Sequence, residues 1–347
     1  MRRQAEQLSV AAQGLKFTSF AVGGGTPLIL DEGQLEELFC LAELFGVHPS
    51  RVFTSVETSP EYTQKSVLRQ LRARGVERLS MGVQSFNETE LKKLKRRPGL
   101  GTVVGALENI VEAGFPQFNL DLIYGIEGQT VESFMRSLNT ALTYRPNELF
   151  IYPLYVRPGT RIDVRSTDDI GYAIYKSARE LLVGQGFVQT SMRRFVRRET
   201  TETEFSCGDE VMLSCGAGGR SYLGNLHYAT PYAVRQQAIA YEIDHYIRTT
   251  DFMTAANGFL LSTEEMQIRF IIKNLMYHRG VDLAEYGKRF GEKPDRNLFR
   301  EFTDRGWIEE TGRIVRLTEE GMAYSDYIGQ AFISPAVRKL MSEYVYP

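Results

Sequence analysis

Residues 17–27 read Phe17-Thr18-Ser19-Phe20-Ala21-Val22-Gly23-Gly24-Gly25-Thr26-Pro27, a short aromatic and β-branched run that stops on three glycines and a proline. The run predicts a strand. The glycines predict a turn in which the backbone can come close to a ligand and offer it N–H and C=O groups. Amphipathic residues 31–45 follow as a helix, and the unit then recurs: strands at 52–57, 78–84, 118–124 and 148–155 alternate with helices at 61–74, 88–96, 102–113 and 131–143. Several of these helices end on glycine, the residue suited to a C-cap. Such alternation specifies an α/β fold built on a parallel sheet or barrel. Upstream, residues 1–13 read as a helix, and a βα series that opens on a helix is expected to lack a strand in front of it, so the barrel should be incomplete. Downstream, 172–184 reads as a helix, 188–195 as one strand and 197–209 as a polar loop.

From residue 262 the pattern changes to short helices followed by two short runs around Thr311-Gly312, which suggests a winged-helix-like module. Three segments are therefore expected: 1–195 as the (β/α) core, 196–261 as a connecting segment with a helix, and 262–347 as the C-terminal domain. Winged helices often bind DNA, but residues 263–332 hold 11 Lys and Arg against 13 Asp and Glu, the wrong balance for phosphate contacts, so no nucleic-acid partner is expected. Across all 347 residues the formal charge is -2, which leaves no global field for an anionic polymer or membrane. No apolar run is long enough to span a bilayer and no signal peptide opens the chain, which makes the cytoplasm the expected compartment. The three cysteines, Cys40, Cys207 and Cys215, are too scattered for a disulfide framework or a CxxC cluster, and His48, His227, His245 and His278 show no metal-ligand spacing. No metal site is expected. Cys40, on an amphipathic helix, reads as a small buried hydrophobe.

In a parallel α/β barrel the active site is built by the loops after the strand C-termini. Here those loops hold Gly23-Gly24-Gly25-Thr26-Pro27, then Glu57 before Thr58-Ser59-Pro60, then Gly82-Val83-Gln84-Ser85-Phe86 with Arg96 after the next helix. They continue with Asn119-Leu120-Asp121-Leu122-Ile123-Tyr124-Gly125 and Gly128-Gln129-Thr130, and end with Pro153-Leu154-Tyr155 and Pro158-Gly159-Thr160. Each fragment alone fits a tight turn, a helix-dipole partner or a surface charge. Five in order, each at its strand end, point to a site.

These motifs resemble the radical S-adenosylmethionine (SAM) core of oxygen-independent coproporphyrinogen III oxidases and their haem-chaperone relatives over residues 17–225, and the tail from 262 resembles their C-terminal domain. The resemblance implies a radical-SAM partial TIM barrel, incomplete here because its first strand is missing, with an α-helical, winged-helix-like C-terminal domain. It implies that backbone groups at Gly24, Gly25 and Thr26 hold the SAM amino group, that Arg96 pairs with its carboxylate, and that Glu57 and Gln84 add polar contacts. Asp121 would accept from the ribose hydroxyls, and Tyr155 or its neighbours would wall the adenine. It also implies a [4Fe–4S] cluster on a CxxxCxxC motif upstream of Gly23, a flavodoxin- or ferredoxin-type reductant, and a porphyrinogen or haem-like small molecule whose propionates lose carbon dioxide in haem biosynthesis. The cluster motif does not occur in these 347 residues. The chain as written is therefore expected not to run radical chemistry, with an incomplete N-terminus as one explanation and a haem-binding or haem-delivery pseudoenzyme as the alternative. Arg193, Arg194, Arg197 and Arg198 read equally as propionate contacts or as a solvated run. Cys215-Gly216-Ala217-Gly218-Gly219-Arg220-Ser221 only brushes the dinucleotide fingerprint, since Ser221 stands where the third glycine belongs.

Overall fold

Along β3 (Arg78–Gln84) the fully or nearly fully buried Leu79, Met81 and Val83 alternate with Arg78, Ser80, Gly82 and Gln84. That period of two divides the whole sheet into a helix-covered apolar side and a polar concave side. In this computed structural model, which describes residues 1–96, 99–156, 168–198, 211–231, 233 and 235–344, the chain runs α1 (Arg2–Ala11), β1 (Ser19–Val22), α2 (Glu32–Glu43), β2 (Phe53–Thr58), α3 (Lys65–Ala73), β3, α4 (Glu88–Lys93), α5 (Leu100–Ala113), β4 (Gln117–Tyr124), α6 (Val131–Thr143) and β5 (Glu148–Pro153). It continues with α7 (Asp168–Gly184), β6 (Phe187–Gln189) and β7 (Arg194–Arg197). Strands β1 to β5 pair in order and in parallel, and β7 and β6 close the sheet as β5-β7-β6 with antiparallel pairing. The core between sheet and helices is made by residues such as Leu35, Phe39, Leu68, Leu107, Phe134 and Leu182. Helix starts are fixed by side chains: Asp31 accepts from Gln34 N–H at 2.8 Å, and Thr130 accepts from Ser133 N–H at 3.2 Å, each within a reciprocal capping box.

The strand expected over 188–195 is instead a hairpin, β6 and β7. Ser191 Oγ accepts from the N–H groups of Arg193 and Arg194 at 3.4 and 3.2 Å, turning a stretch that carries no glycine or proline. The connecting segment also holds more than a helix. Strands β8 (Val211–Met212), β9 (Arg220–Leu223) and β10 (Leu226–Ala229) precede α8 (Gln236–Arg248), and β11 (Gly258–Leu260) follows it, the four forming an antiparallel sheet in the order β11-β10-β9-β8. Gly216 to Ser221 is thus a turn that enters β9 of a hairpin, not a strand-to-helix phosphate loop. Helix α1 docks here: Gln4 Oε1 accepts from Gly216 N–H and Tyr246 O–H at 2.8 and 2.7 Å.

The tail runs α9 (Thr263–Leu275), β12 (Val281–Asp282), α10 (Leu283–Phe290), α11 (Asn297–Asp304), β13 (Ile308–Thr311) and β14 (Ile314–Leu317), with sheet order β12-β14-β13, which is a winged-helix arrangement. Its own core gathers Phe270, Ile271, Phe299, Phe302 and Val315. Helices α12 (Glu319–Ala323) and α13 (Ser325–Ala331) follow and face the barrel. The contact centres on Arg193, only 4% exposed, which donates to Tyr124 Oη at 3.4 Å and Tyr155 Oη at 2.6 Å and pairs with Asp326 of α13. Arg193→Ala is expected to remove this ion pair, leaving Asp326 with the Tyr155 hydroxyl alone, and to loosen the docking. Limited proteolysis should then cut between barrel and tail at a protease concentration that leaves the parent chain whole.

Candidate functional site on the concave face

The concave side of the sheet carries the polar members of the period-two pattern, ordered in rows by strand register. Ala21, Ser55, Arg78 and Gln117 form the lowest row; Glu57, Ser80, Asn119 and Glu148 the next; Gly82, Asp121 and Phe150 the one above. The lower rows are tied by a buried ion network. Arg78 Nε and Arg194 Nη2 approach the two oxygens of Glu148 at 3.0 and 2.7 Å, and Arg78 Nη1 donates to Ser55 Oγ at 2.9 Å. Burial alone would raise the Glu148 carboxyl, but the Arg78 charge and the Arg194 hydrogen bond hold it below its ordinary value. This network closes the floor of the face.

Gly24 and Gly25 have φ of +81° and +60°, so the turn after β1 reverses in the left-handed region and brings Gly24 N–H to Glu57 Oε2 at 3.2 Å. Gly23 allows this approach, because a Cβ there would lie 2.8 Å from the Glu57 carboxyl carbon. Asn119 Nδ2 donates to Ser80 Oγ at 2.6 Å and to Asp121 Oδ1 at 2.7 Å, which fixes the amide orientation and leaves the buried Asn119 Oδ1 with no partner among the described residues. Burial pushes the Asp121 carboxyl up to about 6, against the Asn119 hydrogen bond and the Arg78 charge, with Glu57 and Glu148 adding like-charge repulsion. At the bulge ending β3, Gln84 has φ of +72°, a strained value for a residue with a side chain. Its amide folds back over Gly82, the register partner of Asp121, with Nε2 2.5 Å from where a Gly82 Cβ would stand.

Of the residues singled out in the sequence, Gly24, Gly25, Thr26, Glu57, Gln84 and Asp121 thus share the strand-end rim. Arg96 is exposed in the turn after α4, and among the described residues no hydrogen bond joins it to these. Tyr155 Oη is engaged between Arg193 and Asp326, where its ring lies under the guanidinium at 5.8 Å. Pro158, Gly159, Thr160 and Cys207 lie outside the described residues. Neither reading of the basic run, propionate contact or solvated charge, holds for its first members: Arg193 and Arg194 are buried and ion-paired, and Arg197 lies over the Phe187 ring at 4.6 Å while donating to Pro146 O, whereas Arg198 is exposed. Cys40 is exposed on α2, not buried as expected, and Cys215 is exposed before β9. Among the described residues no three His, Cys, Asp or Glu side chains are placed to hold a metal ion. Of the three cysteines only Cys40 and Cys215 are among the described residues, and they stand on separate elements. The hydrogen bond from Asn119 Nδ2 to Asp121 Oδ1 was legible only as a polar-apolar alternation along β4.

Comparison with known proteins agrees with this arrangement. Residues 1–141 match the Radical SAM superfamily and residues 261–324 the HemN C-terminal domain. An oxygen-independent coproporphyrinogen III oxidase of Salmonella typhimurium is 35% identical over 328 residues, covering 86% of this chain and 70% of the relative. The heme chaperone HemW of Bacillus subtilis is 26% identical over 334 residues, covering 90% and 84%. The structure of coproporphyrinogen III oxidase (HemN) from Escherichia coli, described as a radical SAM enzyme, superposes with a TM-score of 0.78 at 22% identity over 95% of this chain and 81% of that one, which fixes the fold. With the fold, both terminal signatures and a relative of this identity in agreement, the chain belongs to the radical-SAM family of oxygen-independent coproporphyrinogen III oxidases and HemW heme chaperones.

Proposed function

We propose that the chain binds SAM along the C-terminal ends of β1 to β4 and a propionate-bearing tetrapyrrole, porphyrinogen or haem, at the mouth of the same concave face. The observation that carries this reading is the Asp121 carboxylate, one row above the ion-paired floor, whose Oδ1 is set in place by Asn119 Nδ2 at 2.7 Å. A ribose cis-diol supplies O–H donors that a carboxylate accepts. Glu57 and the carbonyls of the glycine turn suit an ammonium, and the exposed Arg96 guanidinium suits a carboxylate. In this family SAM and a [4Fe–4S] cluster together supply one-electron cleavage of a sulfonium, the source of a hydrogen-abstracting radical, with a flavodoxin- or ferredoxin-type donor. Cys40, Cys207 and Cys215 do not make the cluster's ligand set, so what these residues themselves support is binding and orientation of the two small molecules. The tetrapyrrole follows from the activities for which the relatives are named.

An absorbance titration with haem and with coproporphyrin tests the substrate class. Saturable Soret changes with either, strengthened by SAM, are the expected result; no change with either compound removes the tetrapyrrole. A response to haem alone favours haem handling over porphyrinogen oxidation.

A further inference from the structure

We infer that Glu90 is a positioning residue that sets Arg96 against the amino-acid end of SAM by locking α4 to the loop after β4; the inference rests on the SAM reading of the strand-end rim. Glu90 is 4% exposed, yet among the described residues no Lys, Arg or His pairs with it. Instead its carboxylate receives three neutral donors from three elements: Ser85 Oγ after β3 at 2.5 Å, Ser133 Oγ of α6 at 2.7 Å, and Gln129 Nε2 at 3.0 Å. Burying an anion on neutral donors alone is unfavourable compared with an apolar contact, so the arrangement defines geometry at the expense of stability. All three contacts are donated to it, so a glutamine at 90 would turn an amide N–H toward one of those donors.

The consequence for Arg96 follows along the chain. Gln129 Oε1, opposite the amide group that Glu90 holds, accepts from Gly125 N–H at 2.8 Å and shapes the loop beyond Tyr124. One helical turn after Glu90, Lys93 donates to Glu127 O at 2.6 Å, and Leu94 packs with Ile126 and Leu154. Helix α4 then ends with Lys95 at φ of +53°, closed by Arg96 N–H to Leu91 O at 3.0 Å. The Arg96 backbone is therefore placed by a unit whose buried anchor is Glu90.

The test is equilibrium binding of two probes to the full chain: SAM, and 5′-methylthioadenosine, which keeps the nucleoside but has no carboxylate. Parent, Arg96→Ala, Glu90→Gln and the double variant are compared. The expected result is that Glu90→Gln weakens SAM roughly tenfold, as loss of one charge-assisted contact does, leaves methylthioadenosine unchanged, and adds nothing once Arg96 is removed. Ser133→Ala, which withdraws one donor and no charge, gives the same selective loss at smaller size and keeps the test available if Glu90→Gln does not fold. Equal weakening of both probes, or of neither, overturns the positioning role while parent binding of SAM leaves the rim reading in place. A parent chain that does not bind SAM removes that reading and the inference with it.

Discussion

Glu148→Ala should destabilise the fold by about 3–5 kcal/mol, the usual effect of removing one side of a buried ion pair. Glu148 itself is fully buried, and its two partners, Arg78 and Arg194, keep only 12% and 7% of their side-chain surface exposed. Without the carboxylate two guanidiniums remain in the sheet floor with Ser55 Oγ and Thr190 Oγ1 as their remaining side-chain acceptors, the latter at 3.5 Å. The urea midpoint should fall accordingly, with little change in the slope. Replacing all three residues by methionine should recover most of the loss, since a well-packed apolar group of similar volume often matches a buried ion network. The pH dependence has a definite sign. The folded carboxyl is held below its ordinary value of 4.5, so its stabilisation is present above that value and is lost as pH falls through the folded value. A chain whose Glu148→Ala variant is as stable as the parent would show that the floor of the face is not the ion network described.

Asp121→Asn should act in the opposite direction on stability while weakening SAM binding. The folded carboxyl titrates near 6 against 3.8 in its ordinary state, mainly because burial disfavours the charge. Folding therefore takes up a proton between those values: the parent should lose stability as pH rises from about 3.8 to about 6 and hold level above. Removing the charge should then stabilise the fold by on the order of 1–3 kcal/mol above that window and by little below it. Asparagine still accepts from Asn119 Nδ2, so the packing is kept. Ligand hydroxyls, however, meet a weaker acceptor, and SAM affinity should fall. In the parent the same affinity should decline as pH drops through about 6 and the carboxylate takes its proton. Thermal melts across pH, with and without SAM, separate the two effects. A stabilised variant that binds normally would remove Asp121 from the site while keeping its burial.

Much of the barrel was legible because local signals agree with its packing. Residues 131–143 form a helix with the bounds read from the sequence: Thr130 and Ser133 cap it, and Phe134, Leu138 and Ala141 repeat at helical spacing toward the core. Strand β3 was equally clear from its period of two and has the bounds expected. The hairpin at residues 187–197 was hidden because its turn is set by Ser191, which also bridges Tyr277 in the tail, a contact with no local trace. The middle sheet was hidden because β8 to β11 are two to four residues long and mostly half-exposed, too short for a periodicity to develop.

In the site, the strand-end loops gave Gly24, Glu57 and Asp121 at once, since glycine and acidic residues stand out against apolar strands. The partners that define their chemistry were not visible in the same way. Arg193 reads as one member of a basic run, yet its carboxylate lies 133 residues away at Asp326. Glu90 stands in the charged stretch 88–93 with no local mark of burial, which comes from the arrival of Ser133 and Gln129 from the next unit. Pattern reveals which face is polar; which polar groups satisfy one another is a tertiary property.

The most direct measurement is a crystal structure of the chain grown with saturating SAM. The expected structure has the ribose hydroxyls on the Asp121 carboxylate, the ammonium between Glu57 and the Gly24–Gly25 turn, and the carboxylate reached by Arg96. SAM bound elsewhere, or bound at the rim with its ribose away from Asp121, would contradict it.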